Sequence, residues 1–409
     1  MRIIMLSWEY PPKIVGGIAR HVYELGHALA EEDVEVHVIT AEFPGAPAYE
    51  RQHDLLHVYR VPVTEHANDF VHWVQLLNRS MQAKAEELLN GWLQEDKPFK
   101  ARPFADGVLL HAHDWLAHYS GAYLKHAYRL PLIATIHATE YGRNNGLHND
   151  LQRYIASVEW QLSYEAWRVI CCSWYMKGEV EFALQTPSDK IVVIPNGVDA
   201  TKFEFKFDEA ERQAFRNNYA APDEKILFFV GRMVREKGAH VLLEALPKVR
   251  VVYPHVKLLI VGGGYRDHLV QLANWLGIAP HVYFTGFVPD DVLLRIYRIA
   301  DVAVFPSLYE PFGIVALEAM AARIPVVASD AGGLKEVVEH NVTGIVTWLN
   351  NSDSLAWGIL EVLQNPDRAQ EMVKEAYRRV KTMYNWKRIA RQTIEQYRQV
   401  WNEYRKSDW

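Results

Sequence analysis

The sequence contains little cysteine and no long apolar run. Its 409 residues include 2 cysteines, Cys171 and Cys172, which are adjacent. Adjacent cysteines rarely bridge, so this excludes a disulfide-stapled secreted scaffold. No apolar stretch approaches the roughly 18 residues of a transmembrane helix. The apolar N-terminal stretch is too short for a signal peptide and is interrupted at residues 8–12. We therefore expect a cytoplasmic protein without a transmembrane segment.

The sequence also lacks an excess of positive charge. Its 44 Lys and Arg against 50 Asp and Glu give a formal net charge of −6. This excludes nucleic-acid binding by bulk electrostatics and a strongly basic membrane adaptor. One local exception is the segment 374–391, which holds seven cations and one anion. It is either a solvated helix face or a patch for anionic ligands or a membrane surface.

Short β-branched runs alternate with amphipathic stretches along the chain. Continuous apolar strands separated by helices predict a parallel sheet covered on both faces, the doubly wound α/β architecture. The series restarts after residue 197, so two such domains are predicted. Near the C-terminus, Ile394, Tyr397, Trp401 and Tyr404 form one helical stripe. This stripe must pack against another part of the protein. The predicted strands cover 3–6, 34–40, 108–110, 132–136, 169–172, 191–194, 226–230, 258–261, 302–305, 325–328 and 345–348.

Two motifs in the first half are candidates for anion or substrate contact. Gly16 and Gly17 lie between the first strand and the first helix, where backbone amides can approach an anion. A plain tight turn explains them equally well, and they do not form a G-x-G-x-x-G fingerprint. The motif His111-Ala-His-Asp-Trp115 follows a buried strand, where doubly wound folds bind ligands. Substrate contact, structural pairing with neighbouring loops and metal binding are the three interpretations of that motif.

His137 follows the next predicted strand, within Thr135-Ile-His-Ala-Thr-Glu140. A lone histidine is usually structural, but a position at an adjacent strand end favours a functional role. In the second half, Arg232 and Lys237 flank a turn after a strand, which suits a diphosphate. The alternative is a surface ion pair with Glu236. The glycine run at 262–264 is poor support for NAD binding, and close backbone packing is the simpler interpretation.

The most specific motif is Ser307-Leu-Tyr-Glu-Pro-Phe-Gly-Ile-Val-Ala-Leu-Glu318. A helix is predicted to begin near Gly313, so the amides of Gly313, Ile314 and Val315 could hold a phosphate. Glu310 precedes this anion site, and Glu318 lies about 7–8 Å beyond it along the helix. Carboxylates accept hydrogen bonds from hydroxyls, so a nucleotide sugar fits across the helix start. The alternative is a pair of solvent-exposed glutamates.

Together these motifs resemble retaining glycosyltransferases of the GT-B fold, family 4 (glycosyl transferases group 1). The resemblance spans essentially the whole chain. His111–Trp115 and the Gly16–Gly17 loop also resemble the bacterial glycogen and starch synthases. The chain departs from the synthases at Phe312, because it reads Glu-Pro-Phe-Gly where the synthases commonly read Glu-Pro-Cys-Gly. The motifs that carry the resemblance are the Gly16–Gly17 loop, Ile194-Pro-Asn-Gly-Val-Asp199, Gly231-Arg-x4-Lys237-Gly and Glu310-x7-Glu318.

The resemblance implies two facing Rossmann-like domains with the active site in the cleft between them. Residues 1–199 would bind the acceptor and residues 200–384 the nucleotide-sugar donor. The C-terminal helix, about residues 385–409, would pack back on the first domain. Glu318 would hold the ribose, Glu310 the donor sugar, His137 would lie by the scissile bond and Asp114 near the sugar hydroxyls. The donor diphosphate would be bound by Gly16, Gly17, Arg232, Lys237, Gly313, Ile314 and Val315.

We therefore expect a hexosyltransferase that takes glucose from UDP-glucose or ADP-glucose, without a metal or other cofactor. The main hypothesis is elongation of an α-1,4-glucan, as in glycogen synthase. Alternatives are a small-molecule or lipid acceptor, a sugar-nucleotide epimerase on the same fold, and a catalytically silent sugar-binding protein. A phosphorylase would need a pyridoxal-phosphate lysine, to which nothing in the sequence points. The sequence predicts neither nucleic-acid binding nor an oligomeric state.

Overall fold

A computed structural model describes residues 1–95 and 107–409. The chain alternates strands and helices almost throughout. The strands are β1 (Arg2–Leu6), β2 (Glu35–Ala41), β3 (Tyr49–His53), β4 (Leu56–Val61), β5 (Val108–His113), β6 (Leu132–Ile136), β7 (Arg168–Cys171), β8 (Ile191–Val193), β9 (Lys225–Val230), β10 (Val256–Val261), β11 (Val282–Gly286), β12 (Val302–Phe305), β13 (Val326–Ser329) and β14 (Ile345–Thr347). The helices are α1 (Gly17–Glu31), α2 (Phe70–Glu95), α3 (His118–Tyr128), α4 (Glu140–Asn144), α5 (Asp150–Glu165), α6 (Trp174–Ala183), α7 (Glu209–Arg216), α8 (Ala239–Val252), α9 (Asp267–Trp275), α10 (Asp290–Ile299), α11 (Ile314–Ala321), α12 (Leu334–Val337), α13 (Ser352–Gln364), α14 (Pro366–Met383) and α15 (Trp386–Lys406).

The chain folds into two compact units. Unit 1 comprises Met1–Asn196 together with Trp386–Trp409, and unit 2 comprises Gly197–Asn385. The sequence placed the two divisions after residues 199 and 384. Each unit has its own parallel sheet with helices packed on it, which is the predicted architecture.

Unit 1 holds an eight-stranded sheet in the order β3-β4-β2-β1-β5-β6-β7-β8. Every pairing is parallel except that of β3 with β4, which is antiparallel. The sequence analysis missed this pair. The residues of β3 alternate between exposed and half-buried, so the strand has no apolar run that would predict it. The central strand β1 is fully buried from Ile3 to Leu6, as a strand covered on both faces must be.

The C-terminal helix α15 packs on α1 and completes the core of unit 1. Ile389, Ile394, Tyr397 and Val400 are buried in the same apolar cluster as Ile3 and Val22. The predicted stripe therefore has a partner. Its last two members, Trp401 and Tyr404, are half-buried.

Unit 2 holds a six-stranded parallel sheet in the order β11-β10-β9-β12-β13-β14. The edge strand β11 was missed because its residues are half-exposed and carry no continuous apolar run. Most of the predicted strands end within one residue of the observed end, and two differences matter for the sites described below. Strand β5 continues to His113 rather than ending at residue 110, and β14 ends at Thr347. Trp348 therefore lies beyond the strand, at the carboxyl edge of the sheet.

The basic segment 374–391 is divided between the two units, and several of its cations are paired. In unit 2, Arg378 and Arg379 both bind Glu375. In unit 1, Lys387 and Arg391 both bind Glu32. These pairs support the interpretation as a solvated helix face. None of the helices in the described part of the chain combines the length and the apolarity that crossing a bilayer requires.

Candidate active site

In unit 1, the loop after β1 brings two glycine amides to the start of α1. Buried Glu9 accepts hydrogen bonds from the amides of Val15 and Gly16, at 2.5 and 2.9 Å. Helix α1 begins at Gly17 without a side-chain cap and without an acidic residue in its first turn. Because the first amides of a helix have no intrahelical acceptor, this end can bind an anion. Sequence analysis missed Glu9, whose only signal is an acid among apolar residues.

His111 has a structural role in the core of unit 1. It lies within β5 and is fully buried. Its Nδ1 is 2.7 Å from the Tyr397 hydroxyl, and its Nε2 is 2.7 Å from Thr135 Oγ1. Both ring nitrogens are thus used within the core of unit 1. The structural interpretation is correct for this residue, and His113 is the member of the motif that reaches the strand end.

Asp114 holds the loop that carries His137. Its backbone has a φ of 59°, a left-handed conformation that few residues other than glycine adopt, and its Oδ1 accepts the His137 amide at 2.6 Å. Burial raises the pKa of Asp114 to about 7, although the hydrogen bonds from the backbone amides of His137 and Ala138 oppose this shift. The carboxyl group therefore fixes the position of the His137 backbone.

Two buried histidines, His21 and His113, and the half-buried His137 form a cluster at the carboxyl edge of this sheet. His113 Nδ1 is 3.1 Å from His137 Nε2, and the ring of His21 lies 4.7 Å from that of His137. Burial lowers the pKa of His21 to about 4 and holds those of His113 and His137 well below their ordinary value. All three are therefore neutral at pH 7. His21 was missed, although a polar residue on the buried face of α1 was a usable signal.

The same histidine cluster could hold a metal ion. One ring nitrogen from each of His21, His113 and His137 lies within 4.8 Å of the others. Glu35, His37 and His57 form a second such group, apart from the strand ends of the candidate site. In the first group, Nδ1 of His21 is already 2.6 Å from the side-chain oxygen of Asn196. Metal binding by the cluster would leave that contact intact only if His21 used Nε2.

In unit 2, the two predicted cations each contact a glutamate. Arg232 binds Glu236 at 2.8 Å, and Lys237 Nζ binds Glu310 Oε2 at 2.7 Å. The ion pair of Arg232 with Glu236 is the alternative that the sequence left open, and the Arg232 side chain is 42% exposed. The backbone carbonyl of Glu236 accepts the Leu308 amide at 2.7 Å, which ties this turn to the loop after β12.

Helix α11 begins where the sequence placed the anion site. Gly313 precedes it with a φ of 106°, and the first turn has neither a side-chain cap nor an acidic residue. A Cβ on Gly313 would lie 2.5 Å from the Cδ1 atom of Leu334. Only glycine fits this position, both in conformation and in space. The amides of Gly313, Ile314 and Val315 point out of the helix start, as the geometry of an α-helix requires.

The two glutamates of this motif are buried, so the alternative of two solvent-exposed acids is wrong. Glu310 is 8% exposed and Glu318 is 7% exposed. Glu318 Oε2 accepts a hydrogen bond from the Tyr297 hydroxyl at 2.7 Å. Ser307 Oγ lies 3.4 Å from Glu310 Oε2, beside Lys237. Tyr297 and Ser307 were missed as partners because their contacts depend on neighbouring elements of the sheet.

The glycine run after β10 serves close packing. A Cβ on Gly262 would lie 1.9 Å from the carbonyl oxygen of Gly231, in the loop that carries Arg232. The two loops therefore touch backbone to backbone. This supports the packing interpretation and places the run beside the candidate anion site.

The structure thus brings the predicted site residues together within each unit. Asp114 and His137 meet in unit 1, at the sheet edge where the Gly16–Gly17 loop also lies. In unit 2, Lys237 meets Glu310 beside the start of α11, whereas Arg232 turns to Glu236.

Comparison with known protein families and structures accounts for nearly the whole chain. The model for glycosyl transferases group 1 matches residues 211–379, and that for glycosyltransferase family 4 matches residues 15–202. An uncharacterized glycosyltransferase of Methanocaldococcus jannaschii is 40% identical over 97% of this chain and 98% of its own length. The glycogen synthase of Mycobacterium tuberculosis is 34% identical, with 97% and 94% covered. The D-inositol 3-phosphate glycosyltransferase of Corynebacterium urealyticum is 32% identical, with 71% of each chain covered.

Solved structures match both units. Sucrose-phosphate synthase from Thermosynechococcus elongatus superposes with a TM-score of 0.81, at 26% identity, over 98% of this chain and 99% of that one. HepE of Anabaena, solved in complex with UDP and glucose, superposes with a TM-score of 0.76 at 21% identity, over 98% and 100%. The fold of this chain is therefore that of the GT-B glycosyltransferases.

Proposed function

Because the chain belongs to the family 4 glycosyltransferases of the GT-B fold, we propose that it transfers glucose from UDP-glucose or ADP-glucose to an α-1,4-glucan, with retention of configuration. Identity of 34% to a glycogen synthase over nearly both full lengths supports the acceptor. The observation that carries the proposal is the uncapped start of α11, flanked by the ion pair of Lys237 with the buried Glu310.

In this proposal, unit 2 binds the leaving diphosphate. Breaking the bond between the sugar and the phosphate builds negative charge on the diphosphate, which fixed cations and helix amides stabilise. The positive charge that stabilises the diphosphate comes from the first amides of α11, from Gly313 to Val315, and from the ammonium of Lys237. Arg232 would leave Glu236 for the phosphate, since its exposed side chain can reorient. In unit 1, the amide of Gly17 is a separate candidate anion contact, whereas the amide of Gly16, which the sequence also predicted as one, already donates to Glu9.

The sugar end of the donor is assigned to carboxylates and to His137. Positive charge develops on the anomeric carbon in the transition state, and Glu310 is the acid assigned to that sugar. A neutral His137 can donate one N–H hydrogen bond and accept another, which suits a hydroxyl or carbonyl beside the scissile bond. Asp114 positions His137 through its backbone amide. Glu318, held by Tyr297, accepts the ribose hydroxyls.

Retention follows if the acceptor hydroxyl attacks on the same face that the phosphate leaves. The bond from the anomeric carbon to the phosphate oxygen breaks with its electrons going to the phosphate. The acceptor oxygen then bonds to the carbon, and its proton passes to the departing phosphate. This route needs neither a carboxylate nucleophile nor a metal ion, so we propose a metal-independent reaction.

A phosphorylated polyol is the second candidate acceptor. The relative named D-inositol 3-phosphate glycosyltransferase is 32% identical over 71% of this chain. Such an acceptor carries a phosphate of its own and would need a second cation site, whereas a glucan would not.

A matrix of donors and acceptors tests the proposal directly. UDP-glucose and ADP-glucose are each incubated with maltoheptaose, with inositol 3-phosphate and with no acceptor, and products are separated by chromatography. We expect chain extension of maltoheptaose, and nuclear magnetic resonance of the product should show a new α-linkage. Transfer to inositol 3-phosphate alone would favour the second candidate. Epimerised nucleotide sugar without transfer, or a β-linked product, would contradict the proposal.

A further inference from the structure

Unit 2 carries a second concave site that is not part of the candidate active site. It encloses about 700 Å³ beyond the carboxyl end of β14, between that strand and α13. A volume of this size is typical of small-molecule sites. Its walls combine two tryptophans with polar groups, namely Trp348, Trp357, Asp330, His340, Asn351 and Asp353.

The two indoles are exposed, one just beyond the end of β14 and the other on α13. Trp348 is 72% exposed and Trp357 is 46% exposed. The Trp348 amide donates to Ser354 Oγ at 3.0 Å, which fixes the backbone next to α13. Trp357 lies on α13, with the ring of His340 6.2 Å away. Two large apolar rings left open in one concavity are a feature of ligand sites rather than of ordinary protein surface.

The acidic groups beside the indoles are the carboxylates of Asp330 and Asp353. Asp330 follows β13 and is exposed, and its amide donates to the Thr347 carbonyl at 2.9 Å. Asp353 is also exposed and shares its charge with Lys248 at 2.6 Å. With two carboxylates and a single paired lysine, the pocket disfavours phosphates and other anions. It favours a neutral ligand rich in hydroxyl donors.

A carbohydrate satisfies both requirements. One face of a pyranose ring presents C–H groups that pack on an indole, while its hydroxyls reach neighbouring carboxylates. We propose that the pocket formed by Trp348 and Trp357 binds a neutral oligosaccharide segment. Its identification as an α-glucan rests on the proposed function, whereas the pocket itself rests on the geometry of unit 2.

The pocket lies at the same edge of the sheet as the donor half of the candidate active site. Strands β12, β13 and β14 are parallel neighbours, so their carboxyl ends lie at one edge of the sheet. At a strand spacing of about 4.8 Å, β14 is roughly 10 Å from β12, which the loop with Glu310 follows. A polymer held by the two tryptophans would stay close to the donor half of the active site, which raises its local concentration there.

Binding to glucan separates this site from the active site. The wild type, Trp348→Ala, Trp357→Ala and the double variant are titrated with maltoheptaose by calorimetry and run on native gels that contain glycogen. Trp275→Ala is the matched control, because Trp275 belongs to the same unit, is 82% exposed and lies outside the pocket. Thermal melts and circular dichroism confirm that each variant folds, and Trp348→Phe tests whether an aromatic face is sufficient.

We expect each alanine variant to bind about tenfold more weakly or worse, with Trp275→Ala and Trp348→Phe close to the wild type. No binding of maltoheptaose or glycogen by the wild type would overturn the proposal. Unchanged affinity in the double variant would also overturn it, since binding would then occur elsewhere. If these variants lose binding but no donor supports transfer, the pocket proposal stands and the proposed function fails.

Discussion

Replacing Lys237 by alanine removes the cation that pairs with Glu310 in the motif that precedes α11. In the structure its Nζ lies 2.7 Å from Glu310 Oε2, and its side chain is 23% exposed. A hydrogen bond to a charged group contributes about 1.5–3 kcal/mol, and two unit charges 4 Å apart attract by about 4 kcal/mol at an effective dielectric constant near 20. We therefore expect a loss of about 2–4 kcal/mol in transition-state stabilisation, or about 30- to 900-fold in kcat/KM.

Two further variants separate phosphate binding from effects on Glu310. Lys237→Ala leaves the carboxylate of Glu310 without its ion-pair partner, so a second variant combines it with Glu310→Gln. If Lys237 only positioned Glu310, the double variant would be no worse than Glu310→Gln alone. Lys225→Ala is the matched control, because Lys225 lies at the amino end of β9 and pairs with Asp301 at 3.1 Å.

The assay is initial-rate transfer over a range of donor concentrations, with calorimetric titration of UDP as an independent measure of diphosphate binding. We expect Lys237→Ala to weaken both, and Lys225→Ala to change neither. A kcat/KM for Lys237→Ala within threefold of the wild type would refute the assignment of this cation to the diphosphate.

Three other outcomes are expected. Chelation with EDTA should leave transfer unchanged, and loss of activity with rescue by a divalent ion would contradict the metal-independent reaction. Gly313→Ala should destabilise unit 2 by about 1–2 kcal/mol or more, because its φ of 106° and the nearby Leu334 both oppose a Cβ. Urea denaturation measures this loss, and Gly178→Ala is the control, because a Cβ at Gly178 would contact nothing. Acidification from pH 6.5 to 4 should lower the free energy of unfolding, because histidines with depressed pKa values bind protons in the unfolded chain but not in the folded one. His21 alone should lower the free energy of unfolding by about 3 kcal/mol over this range.

The sign of that pH dependence is set by the balance between buried carboxyl groups and histidines of unit 1, whose pKa values are shifted in opposite directions. Asp114, with its pKa raised to about 7, contributes stability below pH 4 that is lost as the pH rises to 7. Four histidines with depressed pKa values, namely His21, His111, His113 and His137, act in the opposite direction over the same range. Burial also raises the pKa of Glu159, which acts in the same direction as Asp114. Since four histidines oppose two acids, the histidines dominate. A free energy of unfolding that rises on acidification would show that the cluster is not buried as described.

The architecture and the position of the candidate anion site could be predicted because both depend on local patterns. An apolar run of about five residues indicates a buried strand, and its end indicates where ligand loops lie. This reasoning located His137, Glu310 and the start of α11. It failed for β3 and β11, whose alternating or half-exposed residues carry no such run.

The sequence by itself determined which segments become strands and helices, and therefore which polar residues stand at strand ends. Only the tertiary structure decided what those residues touch. Nδ1 of His111 meets a hydroxyl 286 positions away on α15, and Lys237 meets an acid 73 positions away. Secondary structure follows from the period of neighbouring side chains, whereas such partners follow from how strands are ordered in the sheet and which helices pack on it. His111 is a core residue because it lies within β5, where Tyr397 of α15 covers it, whereas His137 lies just past the end of β6, at the edge where the candidate site residues of unit 1 meet.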